Sequence, residues 1–254
     1  MNNRRSFIVG IKSTKLSSKE KNFIKRYRPW GIILFTRNIK NIQQTQKLTS
    51  EIRKIFNDKK YPILIDQEGG RVNRLKNLIS FDNLTSEFFG KKFIKNYLEF
   101  TTYYNLFIDK TSYLLRLIGV NINTCPVLDL KIKGSSNIIG DRSFSRNPKI
   151  VSKIGDICIN LFHKNGIGTV IKHIPGHGLA KVDSHYFTPV VQKELKYLGK
   201  NDFFPFKRKK SFFAMTAHII FNKIDKRNTV TQSKKLIQII RKKIGFKNIL
   251  ISDD

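Results

Sequence analysis

Ionisable residues gather in a few short stretches of this chain. ILIDQEGGR carries Asp66, Glu68 and Arg71, CPVLDL carries Asp129, and IIGDRSF carries Asp141 and Arg142. TVIKHIPGHG carries Lys172, His173 and His177, KVDSHYF carries Asp183 and His185, TAHII carries His218, and ISDD carries Asp253 and Asp254. The chain holds only 5 histidines and 18 acidic residues, so placing four of the histidines here is a concentration of both types. Carboxylates and imidazoles brought together are the material of proton transfer and nucleophilic attack. Asp183-Ser184-His185 sets a carboxylate two residues from an imidazole, which it can orient and polarise once the loop curls. Asp253, at the end of an apolar run, suits a carboxylate nucleophile.

Each stretch also has a plainer reading. Asp66 and Glu68 could cap a following helix. Arg142 could be a solvated surface arginine, His163 reads as structural, and His218 reads as a core histidine. Gly69-Gly70 is too short for a dinucleotide fingerprint. His173 and His177 form H-x-x-x-H, but Pro175 and Gly176 break any helix that would align them, so that spacing argument for zinc fails. Asp253 and Asp254 are neighbours in an extended segment, so only one of them faces any given site.

These stretches follow short β-branched runs at Phe7–Ile11, Gly31–Phe35, Pro62–Asp66, Asn121–Leu128, Thr169–His173, Ala214–Ile219 and Asn248–Ser252. Most are continuous apolar runs, as in strands covered on both faces. Amphipathic patterns lie between them. Leu48, Ile52, Ile55 and Phe56 share a helical face, as do Ile154, Ile157, Cys158, Leu161 and Phe162, and Leu236, Ile239, Ile240 and Ile244. The stretch Ser86 to Ile118 reads as one long or two short helices. Alternating strand and helix predicts a parallel sheet, and seven strands favour a TIM-like (β/α)8 barrel, whose active site lies at the C-terminal strand ends. No linker rich in Pro, Gly or Ser divides residues 1–254, which read as a single domain. An eighth strand and closing helices would have to follow Asp254, so the barrel reads as truncated after the seventh strand. The expectation is an open edge, reduced stability and low activity for the 254-residue chain.

Lys and Arg number 49 against 18 acidic residues, a net charge of +31. Such an excess ordinarily points to a polyanionic partner. Yet 35 Lys, 35 Ile and 21 Asn stand beside only 3 Ala, and the lysines are spread along the chain. Drift toward AT-rich codons gives this pattern without a nucleic-acid partner, and no zinc-finger, helix-turn-helix or RNP signature is present. No apolar run approaches the ~18 residues of a membrane span, and the apolar stretch after the basic start is too short for a signal peptide. Two cysteines make no disulfide framework, which agrees with a cytoplasmic location.

In combination and order, LFTRN, IDQEGGRVNR, CPVLDL, IGDRSF, KHIPGHG, DSH and ISDD resemble the bacterial β-N-acetylhexosaminidases of glycoside hydrolase family 3, the cytoplasmic enzymes of peptidoglycan recycling. The resemblance spans essentially the whole chain. It implies a (β/α)8-type barrel and removal of a terminal β-1,4-linked N-acetylglucosamine from 1,6-anhydro-N-acetylmuramic acid, free or carrying its peptide. It implies no metal or organic cofactor and no membrane partner; a monomer is favoured. By position it makes Asp253 the nucleophile, His185 the acid/base and Asp183 its partner, with Asp66, Arg74, Arg142, Lys172 and His173 lining the sugar site. Such chemistry needs a proton for the leaving group and a nucleophile on the opposite face, and a histidine acid departs from the usual carboxylate pair. A same-fold phosphorylase, a β-glucosidase-like enzyme and an impaired nucleic-acid-binding remnant are the alternatives.

Overall fold

The computed structural model describes residues 4–135, 137–182 and 188–253. Asp183, His185 and Asp254 lie outside the described residues. In chain order the elements are β1 (Arg5–Gly10), α1 (Ser18–Tyr27), β2 (Pro29–Leu34), α2 (Ile42–Phe56), β3 (Ile63–Ile65), α3 (Ser86–Lys95), α4 (Tyr97–Leu117), β4 (Ile122–Asn123), α5 (Pro148–Lys164), β5 (Gly168–Ile174), β6 (Val190–Val191), α6 (Leu195–Lys200), β7 (Phe213–Thr216), β8 (Ile220–Phe221), α7 (Lys234–Ile239) and β9 (Ile249–Ser252). Seven strands form one parallel sheet in the order β1-β2-β3-β4-β5-β7-β9, while β6 and β8 pair separately. Among the described residues, β1 and β9 are the two edges of the large sheet.

The sheet is curled. The Trp30 ring on β2 lies 5.3 Å from that of Phe213 on β7, although four strand steps separate them. Flat, those steps would span ~19 Å at the usual strand spacing. Alternation explains what fills the two sides. Leu64, Ile122 and Val170 meet Ile8, Ile33, Met215 and Ile251 inside the curl. Their neighbours Ile63, Ile65, Ile171 and Ala214 pack outward against helix residues such as Ile52, Leu115 and Cys158. Strands buried on both faces read as unbroken apolar runs, which is why seven were legible.

Differences from the sequence expectation have local causes. The run Asn121–Leu128 gives only the two-residue strand β4. Beyond it Pro126, with no N–H to donate, takes the chain out of the regular ladder, apart from a bridge between Val127 and Lys172. Val127, Leu128 and Leu130 are nonetheless fully buried, so the segment kept its apolar character without being a strand. Ser86–Ile118 forms two helices, with Asn96 as a cap between them that accepts from Glu99 N–H. The helix starting at Lys234 passes into a π-helical turn, Ile240–Ile244, and stops at Gly245, whose φ of 82° suits glycine. No described helix is long and apolar enough to cross a membrane.

Candidate active site

Inside the curl lies a cavity of about 790 Å³. Its lower wall is apolar, with Ile8, Trp30, Leu64, Phe213 and Ile251. Its upper rim, at the C-terminal strand ends, carries Asp66, Glu68, Arg74, Thr124, Arg142, Lys172, His173, His177 and Asp253. Six of the sequence-derived positions (Asp66, Arg74, Arg142, Lys172, His173 and Asp253) therefore meet on one rim. The same alternation that directs Leu64 and Ile251 inward continues to Asp66 and Asp253, two residues further along their strands. This places Asp253 on the cavity side. His218 is half-buried and away from the cavity lining. His163 belongs to α5, where its Nε2 lies 2.9 Å from Thr169 Oγ1.

On the β3 side the rim is a closed ionic network. Lys172 Nζ donates to Asp66 Oδ1 at 2.8 Å and lies 2.7 Å from Glu68 Oε1 and 3.2 Å from Thr124 Oγ1. Arg142 grips Glu68 with two bonds, from Nε at 2.8 Å and Nη2 at 2.9 Å. The bidentate geometry makes this the stronger kind of charged hydrogen bond. Burial opposes ionisation of Glu68, but Lys172 and Arg142 outweigh it and hold the carboxyl far below the usual range. For Asp66 burial is likewise outweighed by Lys172, and Thr124 also donates to it. Lys172 and Arg142 are held above their ordinary values in turn, their burial offset by Asp66 and Glu68 for the lysine and by Glu68 for the arginine. The three N–H groups of Lys172 are thus engaged with protein atoms. On Asp66, Oδ1 takes both donors, and among the described residues no hydrogen bond reaches Oδ2. That oxygen, on a side chain 16% exposed, is the acceptor left for a ligand. Arg74 joins the rim with its guanidinium 5.7 Å from the centre of the Phe35 ring.

On the β5 side a second buried group centres on Asp129, which has no exposed surface. Its Oδ2 lies 2.6 Å from His173 Nδ1, and its Oδ1 accepts from His177 N–H at 2.7 Å. The His173 backbone N–H points at the same carboxylate. A carboxylate only accepts, so His173 Nδ1 carries the hydrogen and Nε2 is the ring atom available to a ligand. Burial works against the Asp129 charge, but His173 and the other donors hold its carboxyl below the usual range. A regular strand would send Lys172 and His173 to opposite faces. The β5–β7 register shifts between Lys172 and Ile174, and a bulge of this kind lets both line the cavity. His177 is pushed down to about 4, chiefly by burial and then by His173, while Asp253 acts on it in the other direction. Asp253 and His177 both line the cavity.

Sequence reasoning weighed Glu68 only as a helix cap and His177 only as half of an H-x-x-x-H pair, and it named Asp129 without a role. Their importance lies in partners 74, 44 and 48 residues away, which no local pattern reveals.

The Glycosyl hydrolase family 3 N-terminal domain matches residues 6–254. The chain belongs to this family. It is 31% identical over 251 residues to a protein of Thioalkalivibrio sulfidiphilus named Beta-hexosaminidase, covering 97% of this chain and 71% of that one. Its backbone superposes on native NagZ from Neisseria gonorrhoeae with a TM-score of 0.90 at 31% identity, covering 99% of this chain and 73% of that one. A family 3 β-N-acetylglucosaminidase from Paenibacillus gives a TM-score of 0.86 at 27% identity, over 97% of this chain and 47% of that one.

Proposed function

We propose that this chain is a retaining exo-β-N-acetylglucosaminidase acting at the rim of the cavity, on a curled sheet of the (β/α)8 type within a single domain. The observation that carries this reading is Asp253 on the inner face of β9's end, across the cavity from an Asp66 carboxylate with one oxygen open. In this reading Asp253 attacks the anomeric carbon, the bond to the leaving oxygen breaks, and a glycosyl–enzyme ester forms. The leaving oxygen takes a proton from His185, whose partner is Asp183. His185 then removes a proton from the water that cleaves the ester and frees Asp253. An imidazole of ordinary pKa serves both directions near neutral pH. Asp66 Oδ2 accepts from sugar hydroxyls, Arg74 and the remaining Arg142 donors supply hydrogen bonds, and His173 completes the wall. Lys172 contributes by fixing Asp66 and Glu68.

For substrate we favour N-acetylglucosaminyl-anhydromuramic acid, free or peptide-linked, in cytoplasmic peptidoglycan recycling. The resemblance in KHIPGHG, DSH and ISDD supports this, as do the beta-hexosaminidase names of the relatives. The site chemistry uses side chains alone. The test is incubation of the purified chain with that disaccharide, with and without inorganic phosphate. Free N-acetylglucosamine in both is the expected product. A sugar phosphate formed only with phosphate would mean phosphorolysis, and salt-sensitive DNA binding without cleavage would mean the nucleic-acid alternative.

A further inference from the structure

Asp202, between α6 and a short 3-10 turn at Phe204–Phe206, is 1% exposed. Among the described residues, neither carboxylate oxygen has a hydrogen-bond partner on another residue. It lies directly against the Pro175–Gly178 turn. A Cβ placed on Gly176 would stand 2.8 Å from the Asp202 Cβ, and one on Gly178 would stand 3.2 Å from its Oδ1. Gly176, at a φ of +145°, and Gly178 leave no room for a side chain because Asp202 and the Leu130 carbonyl fill the space. The same turn supplies the His177 N–H bound by Asp129, and the chain runs on from it to Asp183 and His185.

Two carboxyls thus sit under one turn. The donors on this side are drawn to Asp129 and not to Asp202: His173 Nδ1 bonds Asp129, and the His177 backbone N–H donates to it. On Asp202's own segment Lys200 and Lys207 are exposed, and the buried Lys209 is held by Asp156 and Ser152 of α5. An ionised Asp202 would be an unpaired buried anion beside a second anion, which is costly on both counts.

We propose that Asp202 is a positioning residue: it keeps its proton while Asp129 carries the charge, and by staying neutral it seats the Pro175–Gly178 turn that leads into the Asp183–His185 segment. This inference rests on the glycosidase reading only for its effect on turnover. Burial, with the Asp129 charge adding to it, pushes the Asp202 carboxyl up to about 7, against ~3.9 when unfolded. Between those values the folded chain holds a proton that the unfolded chain has released. Stability therefore falls as pH rises from ~4 to ~7 and levels off above that. Above neutrality the turn loosens as Asp202 ionises.

The test compares wild type with Asp202→Asn, which cannot ionise, at pH 4.5, 6, 7 and 8.5. The difference in melting temperature, variant minus wild type, should grow by about 5 °C or more from the lowest pH to the highest. At pH 8.5 the backbone amides of residues 176–182 should exchange faster in wild type than in the variant. The ratio of kcat/KM, variant over wild type, should rise about tenfold from pH 6 to 8.5. A melting difference that stays constant across pH, or equal exchange at pH 8.5, overturns the proposal. If Asp202→Asn does not fold, Asp202→Ser gives the same comparison. Wild type without turnover at any pH would refute the glycosidase reading, while the melts and exchange would still decide the role of Asp202.

Discussion

On the β3 side of the cavity Glu68 lies between Lys172 and Arg142, and each ionic side chain faces an opposite charge. On the β5 side Asp129 faces His173, while among the described residues Asp202 beside it has no ion-pair partner. The two clusters meet at Lys172 and His173 of β5 and both are largely buried, yet they respond differently to pH. In the first, the carboxyls are held below and the cations above their ordinary values. The carboxylates' contribution is present above ~4.5 and is lost only as pH falls through their lowered folded values, so between pH 5 and 9 this cluster is constant. In the second, His177 is pushed down to about 4 and Asp202 up to about 7. It is the part of the site that titrates near neutrality. A buried ionic cluster is thus rigid or adjustable according to whether its charges balance.

The largest break in this contrast is Lys172→Met. It leaves Asp66 and Glu68 as neighbouring buried carboxylates with Arg142 alone to balance them. Losing one partner of a buried pair typically costs about 3–5 kcal/mol, so urea unfolding should show a loss of that size. The loss should shrink below pH 4, where the carboxyls take up protons. Asp129→Asn comes next. It keeps the shape but removes the charge that holds His173 and two backbone N–H groups, and should cost about 2–3 kcal/mol. It should also bring the Asp202 transition to lower pH, because the like charge is gone.

A smaller effect is expected for His177→Asn. A histidine held neutral down to about 4 makes stability rise with pH between ~4 and ~6.5, opposite to Asp202. Removing it should leave a steeper fall in melting temperature over that window. The smallest is Lys21→Ala outside both clusters. Its Nζ lies 2.6 Å from Glu51 Oε1, but both side chains are more than a third exposed, so the expected change is below about 1 kcal/mol. A loss as large as that of Lys172→Met would mean that exposed and buried pairs do not differ here as argued.

Reading the sequence found the strands because burial on both faces leaves continuous apolar runs, and the rim because ionisable residues follow those runs. The length of β4 was overestimated, since Val127, Leu128 and Leu130 are apolar for packing and not for pairing. The short β6–β8 pair escaped notice because two-residue strands carry no period. The pairings of Glu68 with Arg142 and of Asp129 with His173 depend on the sheet's curl. Asp202 sits in NDFFPF, where nothing local marks a carboxyl as buried. The sequence leaves Asp253 and Asp254 as alternatives; Asp253 lines the cavity, and Asp254 lies outside the described residues.

The most direct measurement is the release of chromophore from 4-nitrophenyl N-acetyl-β-glucosaminide by the wild-type chain and by Asp253→Ala, with melting curves of both. Turnover by wild type, a loss of about 10³-fold or more in the variant and closely similar melts are the expected result. Chromophore release by Asp253→Ala at a rate near that of wild type would contradict the assignment of Asp253 as the nucleophile.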